Sequence, residues 1–131
     1  MNPELITLAT HARSNAYCPY SGYAVGCALL TSKGQTFVGC NFENLSYGAC
    51  ICAERGAIGA MIVAGEREIS EMTVVTCDGG TPCGMCLQVI HEFAGPEMKV
   101  NCIDPQGKGR TYNLRELFPF AFHSDKVGKN N

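Results

Sequence analysis

The chain has 131 residues, 46% hydrophobic and 17% charged, with a formal net charge of −2 and a pI near 5.9. That length suits one domain with its own core, spanning residues 1–131 and ending in a frayed polar tail over 124–131. Mild acidity without any Lys/Arg run excludes a surface made for phosphate backbones, so no nucleic-acid partner is expected. No segment approaches the roughly eighteen uninterrupted apolar residues of a membrane span, and no basic stretch precedes an apolar one at the N-terminus. The expected location is therefore the cytoplasm, with no membrane partner. The low charged fraction points to surface covered by self-association.

In chain order, Leu5, Ile6, Leu8, Ala9, Ala12 and Ala16 behind Asn2-Pro3-Glu4 predict an amphipathic helix, ended by the Cys18–Gly22 turn. Two apolar runs, 24–31 and 35–40, flank Ser32-Lys33-Gly34 and predict a hairpin. Asn41-Phe42-Glu43-Asn44 reads as a polar loop. Helical spacing then returns over 52–64, with Gly65-Glu66 as its end. A short strand over 72–77 leads through Asp78-Gly79-Gly80-Thr81-Pro82 into a helix over 83–93. Strands over 99–103 and 110–113 and a helical turn over 114–117 complete the pattern. With no repeats or linker, these elements predict an α/β fold: three α/β/α layers around a mixed sheet of about five strands.

Nine cysteines in a chain without a secretion signal argue against a disulfide scaffold, and the odd count forbids complete pairing. Three of them stand apart. Cys52-Ala53-Glu54 is followed some thirty residues later by Pro82-Cys83-Gly84-Met85-Cys86, both at predicted helix starts. Zn²⁺ takes four tetrahedral ligands, so three thiolates leave one position for water, the arrangement of a catalytic site and not of a closed structural one. Unpaired N–H groups and the positive end of the helix dipole favour thiolates at such starts. Glu54 is close enough to manage the protons of that water as an acid/base group. Three thiolates make zinc electron-rich, and Arg55 is the residue placed to offset this by hydrogen-bonding a ligand sulfur; the plainer alternative is a solvated ion pair on the helix surface. The other six cysteines read as small core or boundary hydrophobes, Cys50 being the least clear of them. His11, His91 and His123 lack ligand spacing and read as surface or boundary residues.

Residues 39–55 and 81–93, with Tyr17–Leu30 and the closing Leu117–Phe122, resemble the small homotetrameric cytidine deaminases. The resemblance implies one zinc ion per chain and water addition at C4 of a cytosine ring, with loss of ammonia to give uracil. Glu54 would relay protons from the water to N3 and then to the departing amine. By the same resemblance Asn41 and Glu43 hydrogen-bond the ribose 3′-hydroxyl, and main-chain groups at Ala53 receive the exocyclic amine. Tyr23 stands where the family commonly places a phenylalanine against the pyrimidine. Phe122 matches an aromatic from a neighbouring subunit, and Tyr47 a tyrosine that reaches an adjacent sugar pocket, so the expected assembly is a homotetramer with shared sites. Left to themselves, Asn41 and Glu43 could be turn formers, and Phe118, Phe120 and Phe122 a plain C-terminal anchor.

Two positions depart from the family pattern. Leu87 replaces an arginine after the last ligand cysteine, which leaves Arg55 with more of the electrostatic load. Leu45 replaces a smaller alanine beside the sugar site. The expected function is deamination of cytidine and deoxycytidine in pyrimidine salvage. Alternatives are deamination of another aminopyrimidine such as blasticidin S or a modified cytosine nucleoside, a zinc-stabilised non-catalytic module, and a thiol redox protein using Cys83 and Cys86.

Overall fold

The computed structural model describes residues 1–122; the tail over 124–131 and His123 lie outside them. Helix α1 (Pro3–Arg13) opens where the Asn2 side chain accepts the Glu4 N–H at 2.9 Å, with proline where its missing N–H costs nothing. It stops three residues short of the Ala16 expected from periodicity. The Ser14 hydroxyl turns back to His11 O at 2.6 Å, and Arg13 Nε donates to Ala24 O at 2.9 Å, so the last turn is tied to the chain that follows.

Strands β1 (Gly26–Thr31) and β2 (Thr36–Cys40) form the expected hairpin, with Gly34 at φ +84°. Beyond β2 the chain is more ordered than a polar loop: Phe42 bridges both Tyr17 and Ile51, and Tyr47–Ala49 make a single 3-10 turn. Helix α2 (Ala53–Val63) follows, ending before Gly65 at φ +90°. Strand β3 spans Ile69–Val75, earlier than the expected 72–77. Its polar start is satisfied in three dimensions, since the Ser70 hydroxyl reaches Leu30 O at 3.1 Å and Glu71 accepts from Asn101 at 2.8 Å. Helix α3 (Gly84–Phe93), β4 (Lys99–Ile103), β5 (Gly109–Asn113) and the short α4 (Leu114–Leu117) complete the order.

The sheet runs β2-β1-β3-β4-β5. β3 and β4 are parallel and joined through α3, while the other neighbours are antiparallel. Alternation along the strands sends Cys27, Leu29, Met72, Val74, Val100 and Cys102 into one cluster with α2 and α3. Ala28, Val75 and Ile103 pack instead with Leu5 and Ala9 of α1. The expected three-layer α/β/α architecture is therefore present, each fully buried aliphatic side chain contributing roughly 1.5–3 kcal/mol. One close approach fixes where α2 begins. A Cβ on Gly39 of β2 would fall 2.3 Å from Ala53 O and 2.5 Å from Ala57 N, so only glycine lets the first turn of α2 lie against the strand.

Candidate metal centre and active-site cavity

Cys52 is the N-cap of α2 and Cys83 the N-cap of α3; neither sulfur makes a capping hydrogen bond, so both are free to bind elsewhere. Cys86 lies one turn into α3 and is buried. Cys83 Sγ is 3.5 Å from Cys86 Sγ and 3.9 Å from Cys52 Sγ, and all three atoms lie within 4.8 Å of one another. Zn–S bonds of about 2.3 Å at tetrahedral angles put sulfurs about 3.8 Å apart, so the spacing fits zinc. It is far beyond the roughly 2.05 Å of a disulfide, and all nine cysteines are free. Among the described residues this is the one group of three or more His, Cys, Asp or Glu side chains placed to hold a metal.

The donor set is also electrostatically prepared. Arg55 Nη2 lies 3.7 Å from Cys52 Sγ and donates to Cys50 O at 3.2 Å. Its Nε is buried without a partner, a cationic group whose natural complement is a cluster of thiolates. A hydrogen bond from Cys86 foremost, then Arg55 and Cys83, holds the Cys52 thiol below the ordinary range despite burial; Cys86 is held well above it. Leu87, where the family pattern has an arginine, is buried in the core, and among the described residues Arg55 is the cation that reaches these sulfurs.

Glu54 is 4% exposed. Burial is the main cause that pushes its carboxyl up to about 7, the charge of Cys52 adding and Arg55 opposing. Beneath it runs a row of the sheet, Cys27–Val74–Cys102, in which burial foremost and Glu54 next push both thiols up. These two cysteines act as small hydrophobes, as expected. Cys77 does not: β3 ends at Val75, leaving Cys77 exposed in the following loop. Cys50 is spoken for locally, its sulfur accepting the Asn44 N–H at 3.3 Å.

Cys52, Glu54 and Cys83 open into a cavity of about 300 Å³, whose other walls include Tyr23, Asn41, Glu43, Thr76 and Thr81. Asn41 and Glu43 brace the segment before β1. The Asn41 amide accepts from Val25 N and donates to Tyr23 O, both at 2.8 Å. Glu43 accepts from Tyr20 N at 3.0 Å, from Ser21 N at 3.1 Å and from the Ser21 hydroxyl. That hydroxyl is the first cause holding the Glu43 carboxyl below its ordinary range. Each side chain keeps spare capacity: Asn41 one N–H and a lone pair, Glu43 a lone-pair site. Bracing and ligand contact are thus compatible, and the two readings of this pair are not exclusive.

The remaining residues divide by position. Ala53 is the first residue of α2 with its methyl buried, so its main-chain N–H, which has no helical partner, is what it can offer beside Cys52 and Glu54. Leu45, Tyr47 and Phe122 are 78%, 75% and 69% exposed and do not line their own chain's cavity. Tyr47 meets Tyr20 edge-on at 6.3 Å, and Gln88 Nε2 donates to Phe122 O at 2.9 Å, fixing the end of the described chain to α3. His91 packs edge-on against Phe118 and His11 lies in a groove between α1 and β2, away from the sulfurs. Ser21, Thr76 and Asp78 were not singled out from sequence, for they carry no motif and meet Tyr23 or Glu43 only through folding.

A family model described as the cytidine and deoxycytidylate deaminase zinc-binding region matches residues 2–102. A cytidine deaminase of Halalkalibacterium halodurans is 40% identical over 125 residues, 94% of this chain and 95% of that protein. One of Sporosarcina psychrophila is 38% identical over 126 residues, 95% and 93% of the two chains. The crystal structure of cytidine deaminase from Burkholderia pseudomallei superposes with a TM-score of 0.86 at 42% identity, over 93% of this chain and all of that one. That from Mycobacterium tuberculosis gives 0.81 at 38%, over 92% and 95%. Agreement in sequence, fold and zinc-binding region along almost the whole length leaves one assignment: the chain belongs to the cytidine deaminase family.

Proposed function

We propose that this chain is a hydrolase that binds one zinc ion and converts cytidine and deoxycytidine to uridine and deoxyuridine, releasing ammonia. The observation that carries the reading is three sulfurs at tetrahedral spacing beside a buried carboxyl, opening together into a cavity of small-molecule size. A non-catalytic zinc module would fill the fourth corner with a side chain, and a dithiol redox pair would need neither Cys52 nor Glu54.

Zinc bound by Cys52, Cys83 and Cys86 supplies the Lewis acidity that makes water a nucleophile near neutral pH. Glu54 accepts a proton from the attacking water and delivers one to N3 as the oxygen bonds to C4. It then takes the proton of the new C4 hydroxyl and passes it to the amine, the C4–N bond breaks, and ammonia leaves a carbonyl behind. Its burial raises the carboxyl above its ordinary range, which suits a group that gives a proton as well as taking one. The Ala53 main-chain N–H is a donor and so faces an acceptor atom of the base and not the exocyclic amine, which is itself a donor. Asn41 donates to a sugar hydroxyl that in turn donates to Glu43, using the capacity left over from bracing. Tyr23 supplies an apolar face for the ring, and Arg55 draws electron density from the Cys52 sulfur.

Residues 1–131 form one domain, a reading supported by the single continuous sheet. The chain assembles as a homotetramer in the cytoplasm. Supporting this, Leu45, Tyr47 and Phe122 present large apolar surfaces that their own chain leaves uncovered. No helix among the described residues is long and apolar enough to cross a membrane. Sedimentation at four times the 14.1 kDa chain mass is expected; a monomer that retains full turnover contradicts the shared site.

Ultraviolet monitoring of cytidine, deoxycytidine and a panel of aminopyrimidines, with Glu54→Gln as control, tests the reaction. Both nucleosides are consumed, and the control keeps its zinc while turnover falls about 10²–10⁴-fold. Consumption of another aminopyrimidine alone, or an active control, overturns the assignment.

A further inference from the structure

One wall of the cavity is tied across by a contact that the proton relay does not use. Tyr23 comes from the segment before β1 and Asp78 from the loop between β3 and α3, and the phenol donates to Asp78 Oδ1 at 2.6 Å. The same oxygen accepts the Thr76 hydroxyl at 3.2 Å and the Gly80 N–H at 3.1 Å, while Thr76 Oγ1 accepts that N–H at 2.7 Å. Tyr23, Thr76 and Thr81 all line the cavity, and Cys83 ends the loop. The loop that delivers a ligand sulfur is thus pinned to a ring on a separate wall.

Gly80 makes the contact possible. A Cβ there would lie 2.7 Å from Tyr23 Oη and 3.2 Å from Asp78 Oδ1. Its φ is not in the left-handed region, so a substitution acts through this crowding and not through backbone strain. The Tyr23 hydroxyl is the group that closes the bond. The ionisation states suit it: the Tyr23 hydrogen bond leads in holding the Asp78 carboxyl below its ordinary range, and burial followed by Asp78 raises the Tyr23 phenol. A neutral donor meets an ionised acceptor throughout the neutral range, the stronger kind of hydrogen bond.

We propose that Tyr23, Asp78 and Gly80 form a clasp that fixes the width of the cavity for a flat ring, with Asp78 as a positioning residue acting through Tyr23. This rests on the nucleoside deaminase reading. The clasp governs how well the ring is held and leaves bond breaking to Glu54.

A kinetic double-mutant cycle tests it. Tyr23→Phe and Asp78→Ala each raise the KM for cytidine about tenfold with kcat within about threefold, the scale of one hydrogen bond to a charged group. The double variant is no worse than Asp78→Ala alone, because that change has already removed the Tyr23 contact. Asp78→Asn keeps an oxygen acceptor and stays within about threefold of the parent KM, and Gly80→Ala reproduces Tyr23→Phe. Additive KM effects, or a fall in kcat at constant KM, overturn the clasp. Amide hydrogen exchange at Gly80 judges it without any substrate. Exchange at least about tenfold faster in Tyr23→Phe supports it and unchanged exchange sinks it. Should the parent protein fail to deaminate cytidine, the functional reading falls while the exchange measurement still decides the clasp.

Discussion

The inner end of the cavity stands on two helix starts packed against the sheet, whereas its outer end stands on loops. Cys52, Glu54, Cys83 and Cys86 all sit within the first turn of α2 or α3, and Glu54 and Cys86 are buried. Asn41, Glu43 and Tyr23 sit on irregular chain, held by hydrogen bonds to one another's segments, and Tyr47 and Phe122 are exposed and do not line their own chain's cavity. The contrast separates two tasks. Metal and proton transfer need positions fixed to fractions of an ångström and removed from water, which helix starts on a packed sheet supply. Holding a nucleoside needs reach, which loops supply.

Breaking the inner end has the largest effect. Cys86→Ser removes a soft ligand from the buried corner, so the protein is purified with far less than one zinc per chain and its deaminase activity falls to background; metal analysis and the ultraviolet assay read both. Retention of a full zinc complement would detach Cys86 from the site. Arg55→Gln keeps the metal but lowers kcat about 10–100-fold, since the sulfurs lose their cation. An unchanged kcat would return Arg55 to the role of a plain helix residue.

Changes at the outer end are smaller and appear in binding. Asn41→Ala raises KM about tenfold, a figure that includes loosening of the segment it braces, with kcat nearly constant. The smallest effect is one of pH. The Glu43 carboxyl lies below its ordinary range, so it is already ionised at neutrality and stays so as pH falls through that range. The KM contribution of this residue is therefore flat from pH 8 to pH 6 and is lost only in stronger acid. A rise in KM between pH 7 and pH 6 that disappears in Glu43→Gln would contradict it.

The same contrast explains what sequence could and could not reveal. The inner end is local: Cys52 to Glu54 and Cys83 to Cys86 are short spacings at helix starts marked by Pro82 and by the return of helical periodicity, so the three clustered sulfurs and the buried carboxyl beside them could be named without a structure. The layers followed from the set of helical and strand-like runs, among them 26–31 and 99–103, which are buried almost without interruption. Strand β3 was placed too late because Ser70 and Glu71 look like loop residues until Leu30 and Asn101 are brought beside them. The Phe42 bridges, the 3-10 turn and the Tyr23–Asp78 bond join residues up to 55 positions apart, a separation no periodicity records.

X-ray absorption at the zinc edge of the purified protein tests the central claim most directly. Three sulfurs at about 2.3 Å and one oxygen at about 2.0 Å are expected for thiolates that leave a corner to water. Four sulfur or nitrogen ligands from protein, or no zinc bound at all, would contradict it.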